Sequence, residues 1–285
     1  MSDAVRYGVV GTGMMGVEHL QNLAQVPGAV VTAVADPHGP SLAAARAVTG
    51  AEVATFADHR ALLAADVCDA VVVASPNMTH VEVLLDVLAA GVHVLVEKPL
   101  CTTIEDCRRV VAAAEGHPGV AWVGLEYRYM PPVGRLVDEV RAGTVGRLRM
   151  LSIREHRFPF LAKVGDWNRF NENTGGTLVE KCCHFFDLMN LLCGAPQRVL
   201  ASGGQDVNHL DEVYDGRRPD ILDNAYVIVE YEGGVRALLD LCMFAEATTN
   251  MEELVAVGDE GKVEAFLPAS EVRIGRREDG WLAAR

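Results

Sequence analysis

The sequence predicts an α/β chain in two parts. Residues 1–125 read as an N-terminal doubly wound parallel sheet, and residues 126–285 as a C-terminal α+β domain with an open, mostly antiparallel sheet. Three observations carry this. Four Val-rich runs in the first part, RYGVVG, VVTAVADP, DAVVVASP and VHVLVEKP, are apolar almost without interruption, as strands buried on both faces are. Between them lie MMGVEHLQNLAQV, PSLAAARAVTG, THVEVLLDVLAAG and TTIEDCRRVVAAAEGH, whose apolar residues recur at helical spacing. After VAWVGLEYR this alternation stops, and runs separated by tight turns take its place.

Taken in order, each strand–helix–strand repeat of the first part requires a right-handed crossover, which winds the sheet. In the second part a helix is expected over PPVGRLVDEVRAG, then a long strand over GRLRMLSIREHRF. A second helix is expected from about Leu178 to Cys193. LDNAYVIVEYEGGVRALLDLCMFAEA has hairpin character around Gly233-Gly234, and EELVAVGDEGKVEAFLP continues the strands. GGQDVNHLDEVYDGRRPD reads as a polar surface loop.

Bulk properties narrow the functions. The 285 residues are 50% hydrophobic and 22% charged, enough apolar material for two compact domains or one large one. No segment reaches the roughly 18 uninterrupted apolar residues of a membrane helix, and MSDAVRYGVVG does not read as a secretory signal. The net charge of −14 argues against general affinity for nucleic acid. Seven cysteines without a CxxC pair suggest reduced thiols in a cytoplasmic protein and no metal site.

The sharpest motif is YGVVGTGMMGVEHL, in which Gly11-Thr12-Gly13-Met14-Met15-Gly16 follows a strand and opens a helix. Gly11 makes the turn, Gly13 lets a pyrophosphate approach the backbone, and Gly16 lets the helix pack on the strand. The helix N-terminus supplies N–H groups and partial positive charge to the phosphates. Asp36 in VADP lies 20 residues beyond Gly16, where a carboxylate accepts from ribose hydroxyls and repels a 2′-phosphate. NAD is therefore expected in preference to NADP. The alternative is a glycine turn that only helps packing.

Ligands of doubly wound sheets lie outside the carboxyl ends of the strands. Ser75-Pro76-Asn77 and Glu97-Lys98 occupy two such ends, so both should line the crevice of the glycine loop. Pro99 stops the strand after Lys98, one of only four lysines. Asn77 could instead cap its helix. His80 is expected in a first helical turn, beside the nicotinamide ribose or simply solvated.

GTGMMG, ADP, SPNMTH and EKPL, in this order and at these spacings, resemble the Gfo/Idh/MocA oxidoreductases, strongly to about residue 130 and more loosely to about residue 265. The resemblance implies a Rossmann domain followed by a mostly antiparallel sheet domain whose exposed face packs on another subunit, as a homodimer or homotetramer. It implies that Lys98 reaches both the nicotinamide ribose and the substrate hydroxyl. GGTLVEKCCHFFDLMNLL matches the family's second signature, with Glu180, His184 and Asp187 at its polar positions and glutamate in place of the usual aspartate. Lys181 and Cys182-Cys183 depart from the commoner apolar or glycine residues. Family members generally run longer, so the resemblance raises a chain ending at DGWLAAR that is either C-terminally truncated or naturally short.

Offsets of four and three would put Glu180, His184 and Asp187 on one stripe of a helix. The alternatives are a salt-bridged helix with an incidental histidine, or a metal site that lacks its remaining ligands. The expected reaction is hydride transfer between a secondary alcohol of a polyol or sugar and NAD(P). His184 is the expected proton acceptor, because imidazole titrates near neutrality. Lys98 would stabilise the alkoxide, or act as base if burial lowers its pKa. Glu180 would orient a hydroxyl or His184, and Asp187 would hold the histidine. Arg128, His156, Trp167 and Arg169 are further substrate-binding candidates, each with a bland reading as a surface or packing residue. A non-catalytic dinucleotide-sensing regulator of the same fold, or a reductase of keto-sugars or cyclic diols, stands as the alternative function.

Overall fold

The computed structural model describes residues 4–280; the ends of the two expected domains, the terminal WLAAR among them, lie outside the described residues. Two compact units emerge. One takes in residues up to Gly124, with Lys163–Trp167 and Glu172–Gly175; the other takes in Leu125–Ala162, Asn168–Asn171 and the residues from Gly176 on.

The first unit is a six-stranded, wholly parallel sheet. Its strands are β1 (Val5–Val10), β2 (Ala29–Ala35), β3 (Ala54–Phe56), β4 (Ala70–Val73), β5 (His93–Glu97) and β6 (Ala121–Gly124). The order is β3-β2-β1-β4-β5-β6, so the direction of winding reverses between β1 and β4. Helices α1 (Met14–Leu23), α2 (Gly39–Thr49), α3 (His59–Ala64), α4 (His80–Ala89) and α5 (Ile104–Ala114) connect them. Every residue of β4 is buried, which is why its sequence shows no alternation. The side chains of Asp58 and Thr103 accept backbone N–H bonds at the starts of α3 and α5, satisfying donors that a helix leaves open. The short pieces β3, α3 and β6 carry too few residues to show a period, and the sequence reading passed over them.

The second unit opens with α6 (Pro131–Arg141), whose first turn holds two prolines that need no N–H partner there. Then comes β7 (Leu148–His156); α7 (Asn171–Thr174) belongs, from Glu172 on, to the first unit, and α8 (Thr177–Glu180) and α9 (Cys183–Cys193) belong to the second. The chain continues with β8 (Pro196–Gly204), β9 (Asn224–Tyr231), β10 (Arg236–Cys242), β11 (Glu252–Gly258), β12 (Gly261–Leu267) and β13 (Glu271–Arg276). The sheet order is β13-β12-β11-β7-β10-β9-β8. Its neighbours pair antiparallel except β10 with β7, which run parallel. In β9 and β10 buried and more exposed residues alternate, as in a sheet with one covered face. Ile153, Leu239, Ala256 and Val263 point into the core against Leu136, Phe185, Leu188 and Met189.

One expected element is corrected. The helix over Leu178–Cys193 is two helices, because Lys181 and Cys182 interrupt it between α8 and α9. Glu180 and His184 therefore do not share one continuous helical stripe; only His184 and Asp187 do. The interruption falls where Lys181 reaches a buried carboxylate of β7. Among the described residues no helix is long and apolar enough to cross a membrane, and no group of three or more His, Cys, Asp or Glu is placed to hold a metal ion.

Ile153 is fully buried in the middle of the second sheet. Ile153→Ala should cost about 2–5 kcal/mol, read as a lower urea midpoint with an unchanged slope.

Candidate functional site

In the first unit the glycine loop is shaped by two collisions and one opening. A Cβ on Gly11, whose φ is +86°, would lie 2.4 Å from the backbone nitrogen of Ser75, and one on Gly16 would lie 2.0 Å from the Gly11 carbonyl oxygen. Those two glycines are required by the protein's own packing. A Cβ on Gly13 would meet nothing within 4 Å. Gly13 stands at the N-terminus of α1, which no side chain caps, so helix N–H groups border open space there. These residues fit a pyrophosphate, which would fill that space and accept from those donors.

Asp36 ends β2 as expected, and its carboxylate serves the loop itself. Oδ2 accepts from the Thr12 backbone N–H at 2.7 Å and from the Thr12 hydroxyl at 3.2 Å, and Oδ1 accepts from the His38 N–H at 2.8 Å. An ionised carboxylate has about four acceptor positions, so capacity for ribose hydroxyls remains. Ser75 and Thr79 share a hydroxyl contact at 2.7 Å. Asn77 is buried and begins a short 3-10 helix rather than capping α4.

His80 is fully buried, which removes the solvated reading. Nδ1 lies 2.8 Å from the Pro99 carbonyl oxygen and Nε2 3.0 Å from that of Ser75. It ties the Ser75-Pro76-Asn77 turn to the turn holding Lys98 and Pro99. A second tie comes from a residue the sequence reading missed. His19, on α1, places Nε2 2.7 Å from Glu97 Oε1. Burial works to raise the Glu97 carboxyl, but the His19 hydrogen bond and the charges of His19 and Lys98 outweigh it and hold it below the usual carboxylate range. Lys98 is half-buried directly after this anchored strand end.

In the second unit His184 is 1% exposed near the start of α9. Its ring lies on that of Tyr127 with centroids 4.5 Å apart and planes tilted 33°, and its Nε2 is 3.8 Å from Glu126 Oε1. Asp187, expected to hold His184, forms a two-pronged ion pair with Arg128 instead. A guanidinium fork matches a carboxylate geometrically, so the pair fixes the 3-10 helix of Glu126–Tyr129 onto α9. Glu180 is buried at the end of α8.

The remaining candidates have local partners. His156 ends β7 with Nε2 3.0 Å from Asp240 Oδ1, one residue from Glu155 and so on the other face of the strand. Arg169 is buried and directed at Glu212 Oε2, 3.2 Å away, and Asn168 Oδ1, anchoring the polar loop that follows β8. Trp167 is half-buried, and its carbonyl accepts from Asn173.

Under His184 lies a charged cluster that the sequence flagged only through Lys181. Lys181 Nζ is 2.9 Å from Glu155 Oε1 and 3.1 Å from the Tyr127 hydroxyl, which donates to Glu252 Oε1 at 2.7 Å. Glu155 and Glu252 sit directly opposite each other on β7 and β11. Burial, reinforced by the charge of Glu155, pushes the Glu252 carboxyl up. An acidic residue inside an apolar strand run, as in SIREH and MEELV, was the signal available.

Comparison with known proteins agrees with both halves. Residues 5–125 match the GFO_IDH_MocA oxidoreductase family, NAD-binding Rossmann fold, and residues 137–280 match the C-terminal alpha/beta domain of that family. The rhizopine catabolism protein MocA of Rhizobium meliloti is 32% identical over 190 residues, which cover 66% of this chain and 57% of that protein. Inositol 2-dehydrogenase 2 of Saccharopolyspora erythraea is 33% identical over 269 residues, covering 92% of this chain and 74% of that protein. The crystal structure of GenD2 from gentamicin A biosynthesis, in complex with NAD, superposes with a TM-score of 0.83 at 26% identity, covering 94% of this chain and 73% of that one.

Two outcomes follow from the geometry. Gly16→Ala should destabilise by about 1–3 kcal/mol through overpacking, whereas Gly13→Ala should stay within about 0.5 kcal/mol of the parent, both read by urea unfolding. His19→Ala should cost about 1–3 kcal/mol near neutral pH by leaving a buried carboxylate without its donor. Because Glu97 titrates below its unfolded value, the stabilisation is present above that value and is lost as pH falls through the folded one. The difference in urea midpoint between the two proteins should therefore shrink on the acid side.

Proposed function

Because the chain belongs to the Gfo/Idh/MocA oxidoreductase family, we propose that it transfers a hydride between a secondary alcohol of a polyol or sugar and NAD. The observation that carries this is the open space at Gly13, between two glycines that admit no side chain. It fits a dinucleotide pyrophosphate and has no packing role within the chain. NAD, when bound, accepts the hydride at its nicotinamide ring. Asp36 supports NAD over NADP, since a buried carboxylate repels a 2′-phosphate. The inositol 2-dehydrogenase relative supports a polyol as the substrate class.

In this reading His184 accepts the hydroxyl proton. Its ring plane is fixed by Tyr127, and the imidazole is shielded from bulk water. Lys98 donates to the alcohol oxygen and stabilises negative charge developing there, on a turn that His80 and Glu97 hold in place. Glu180 orients a second substrate hydroxyl, and Arg128 with Asp187 fixes the neighbouring wall. Holding the alcohol in a reactive pose can lower a barrier by up to ~7–11 kcal/mol, and a positioned base adds ~10²–10⁴-fold. The face of the second sheet that exposes Leu200, Tyr226 and Ile228 is the surface we assign to a second copy of the chain.

A panel of polyols and sugars with NAD and NADP, followed by absorbance of the reduced cofactor, tests the reading. Turnover with NAD is expected, with a loss of about 10²-fold or more in kcat for His184→Ala and for Lys98→Ala. Gly13→Ala should weaken NAD binding at unchanged stability. Tight NAD binding without turnover across the panel would instead identify a dinucleotide sensor. Light scattering should give a mass above the monomer, falling for Tyr226→Lys.

A further inference from the structure

Apart from Tyr127, the buried cluster beneath His184 has no part in the chemistry above, and its members come from separate elements: β7, β11, the 3-10 helix of Glu126–Tyr129 and the turn between α8 and α9. Lys181 is 8% exposed and Glu155 is fully buried. An ammonium taken out of water at this depth needs a carboxylate, and such a pair often stabilises no more than apolar residues of the same volume would. Its value is therefore sought in what it holds. Glu155 Oε1 also faces Arg157 Nη1 at 3.3 Å, and Glu155 Oε2 has no hydrogen-bond partner among the described residues.

The order of donors is fixed by chemistry. An ammonium only donates, so at 3.1 Å the Tyr127 oxygen accepts from Lys181; its own proton then goes to Glu252 at 2.7 Å. The hydroxyl is held from both sides. At the other end of the same side chain, the Tyr127 ring carries the His184 ring on its face and meets the edge of Phe185 at 5.3 Å and 86°. Lys181 Nζ also lies 5.2 Å from the centre of the Tyr127 ring and 5.9 Å from that of Phe185, inside the range at which a cation is attracted to an aromatic face.

We propose that Lys181 is a positioning residue for His184: its ammonium pins the Tyr127 hydroxyl, and the pinned ring sets the plane of the imidazole. The proposal rests on the reading of His184 as proton acceptor, and deepens it. Lys181 touches neither substrate nor cofactor. It acts through one aromatic side chain, whose loss of register would rotate the imidazole away from the hydroxyl it serves.

Two variants test this. Tyr127→Phe keeps the stacked ring and removes the pinned hydroxyl. Removing Lys181 alone would strand a buried carboxylate, so the second variant is the double Glu155→Met/Lys181→Met, which removes both charges at similar volume. Each is assayed for kcat and KM with the best alcohol from the panel, for thermal unfolding, and by NMR of the His184 ring protons. The Tyr127 ring current shifts those signals upfield while the rings are stacked. Folded variants should show kcat reduced about tenfold or more, within the ~10²-fold that ångström-scale misplacement can cost, little change in KM, and His184 signals displaced toward unstacked positions. A folded variant with unchanged kcat, or with unmoved His184 signals, overturns the proposal. If the double variant does not fold, Tyr127→Phe alone decides. If the parent protein oxidises no alcohol, the proton-acceptor reading fails separately, and the NMR comparison still decides whether Lys181 holds the ring.

Discussion

The carbonyl oxygen of Gly11 lies 2.0 Å from where a methyl group on Gly16 would sit. That single approach seats α1 against the end of β1, and the seating has several dependents. It brings His19, one turn further along α1, to the Glu97 carboxylate at the end of β5. It lets the Thr12 N–H and hydroxyl reach Asp36 at the end of β2. With His80 joining the turns after β4 and β5, the strand ends of the first unit are cross-tied by side chains as well as by the sheet. A ligand arriving there meets donors already in position, and little ordering entropy remains to be lost on binding.

The second unit solves a different problem. Its sheet buries two carboxylates opposite each other on neighbouring strands, an arrangement that would be repulsive without cations. Lys181 and Arg157 supply them. Removing one partner of such a set costs about 3–5 kcal/mol, because the remaining charge stays buried. The set therefore has to be present complete, and it makes the turn between α8 and α9 rigid where an uninterrupted helix would have carried Lys181 elsewhere. The Arg128–Asp187 pair adds a further tie, between the 3-10 helix of Glu126–Tyr129 and α9.

Much of this was legible in the residues. The four buried strands of the first unit betrayed themselves by near-continuous valine, and the hairpin of β9 and β10 by Gly233-Gly234 between alternating runs. The glycine loop, Asp36 and the two strand-end turns were found by spacing, and Glu180, His184 and Asp187 through the resemblance to the family's second signature. What escaped was of two kinds. β3, α3 and β6 are too short for a period to show, and β8 is exposed along almost its whole length, so it lacks the apolar alternation that marks a strand. The other kind was partner choice. Asp187 at helical spacing from His184 implied a bond between them, yet Arg128 offers a charged fork that an imidazole cannot match. The break at Lys181 was hidden for the same reason: a tertiary ion pair with a residue far away in sequence overrode a strong local helical pattern.

β7 is flanked in its sheet by β10 on one side and β11 on the other, and both follow it at great distance along the chain. A ribosome releases β7 long before either neighbour exists, with both of its edges open and its Leu-Ile face uncovered. Assembly of this sheet must therefore wait for nearly the whole domain to be made, since non-local pairing gives no reward until its loops have closed. The parallel pairing of β7 with β10 closes a loop of many residues with no tight turn between the two strands, the kind of contact that forms late because its entropy cost comes first.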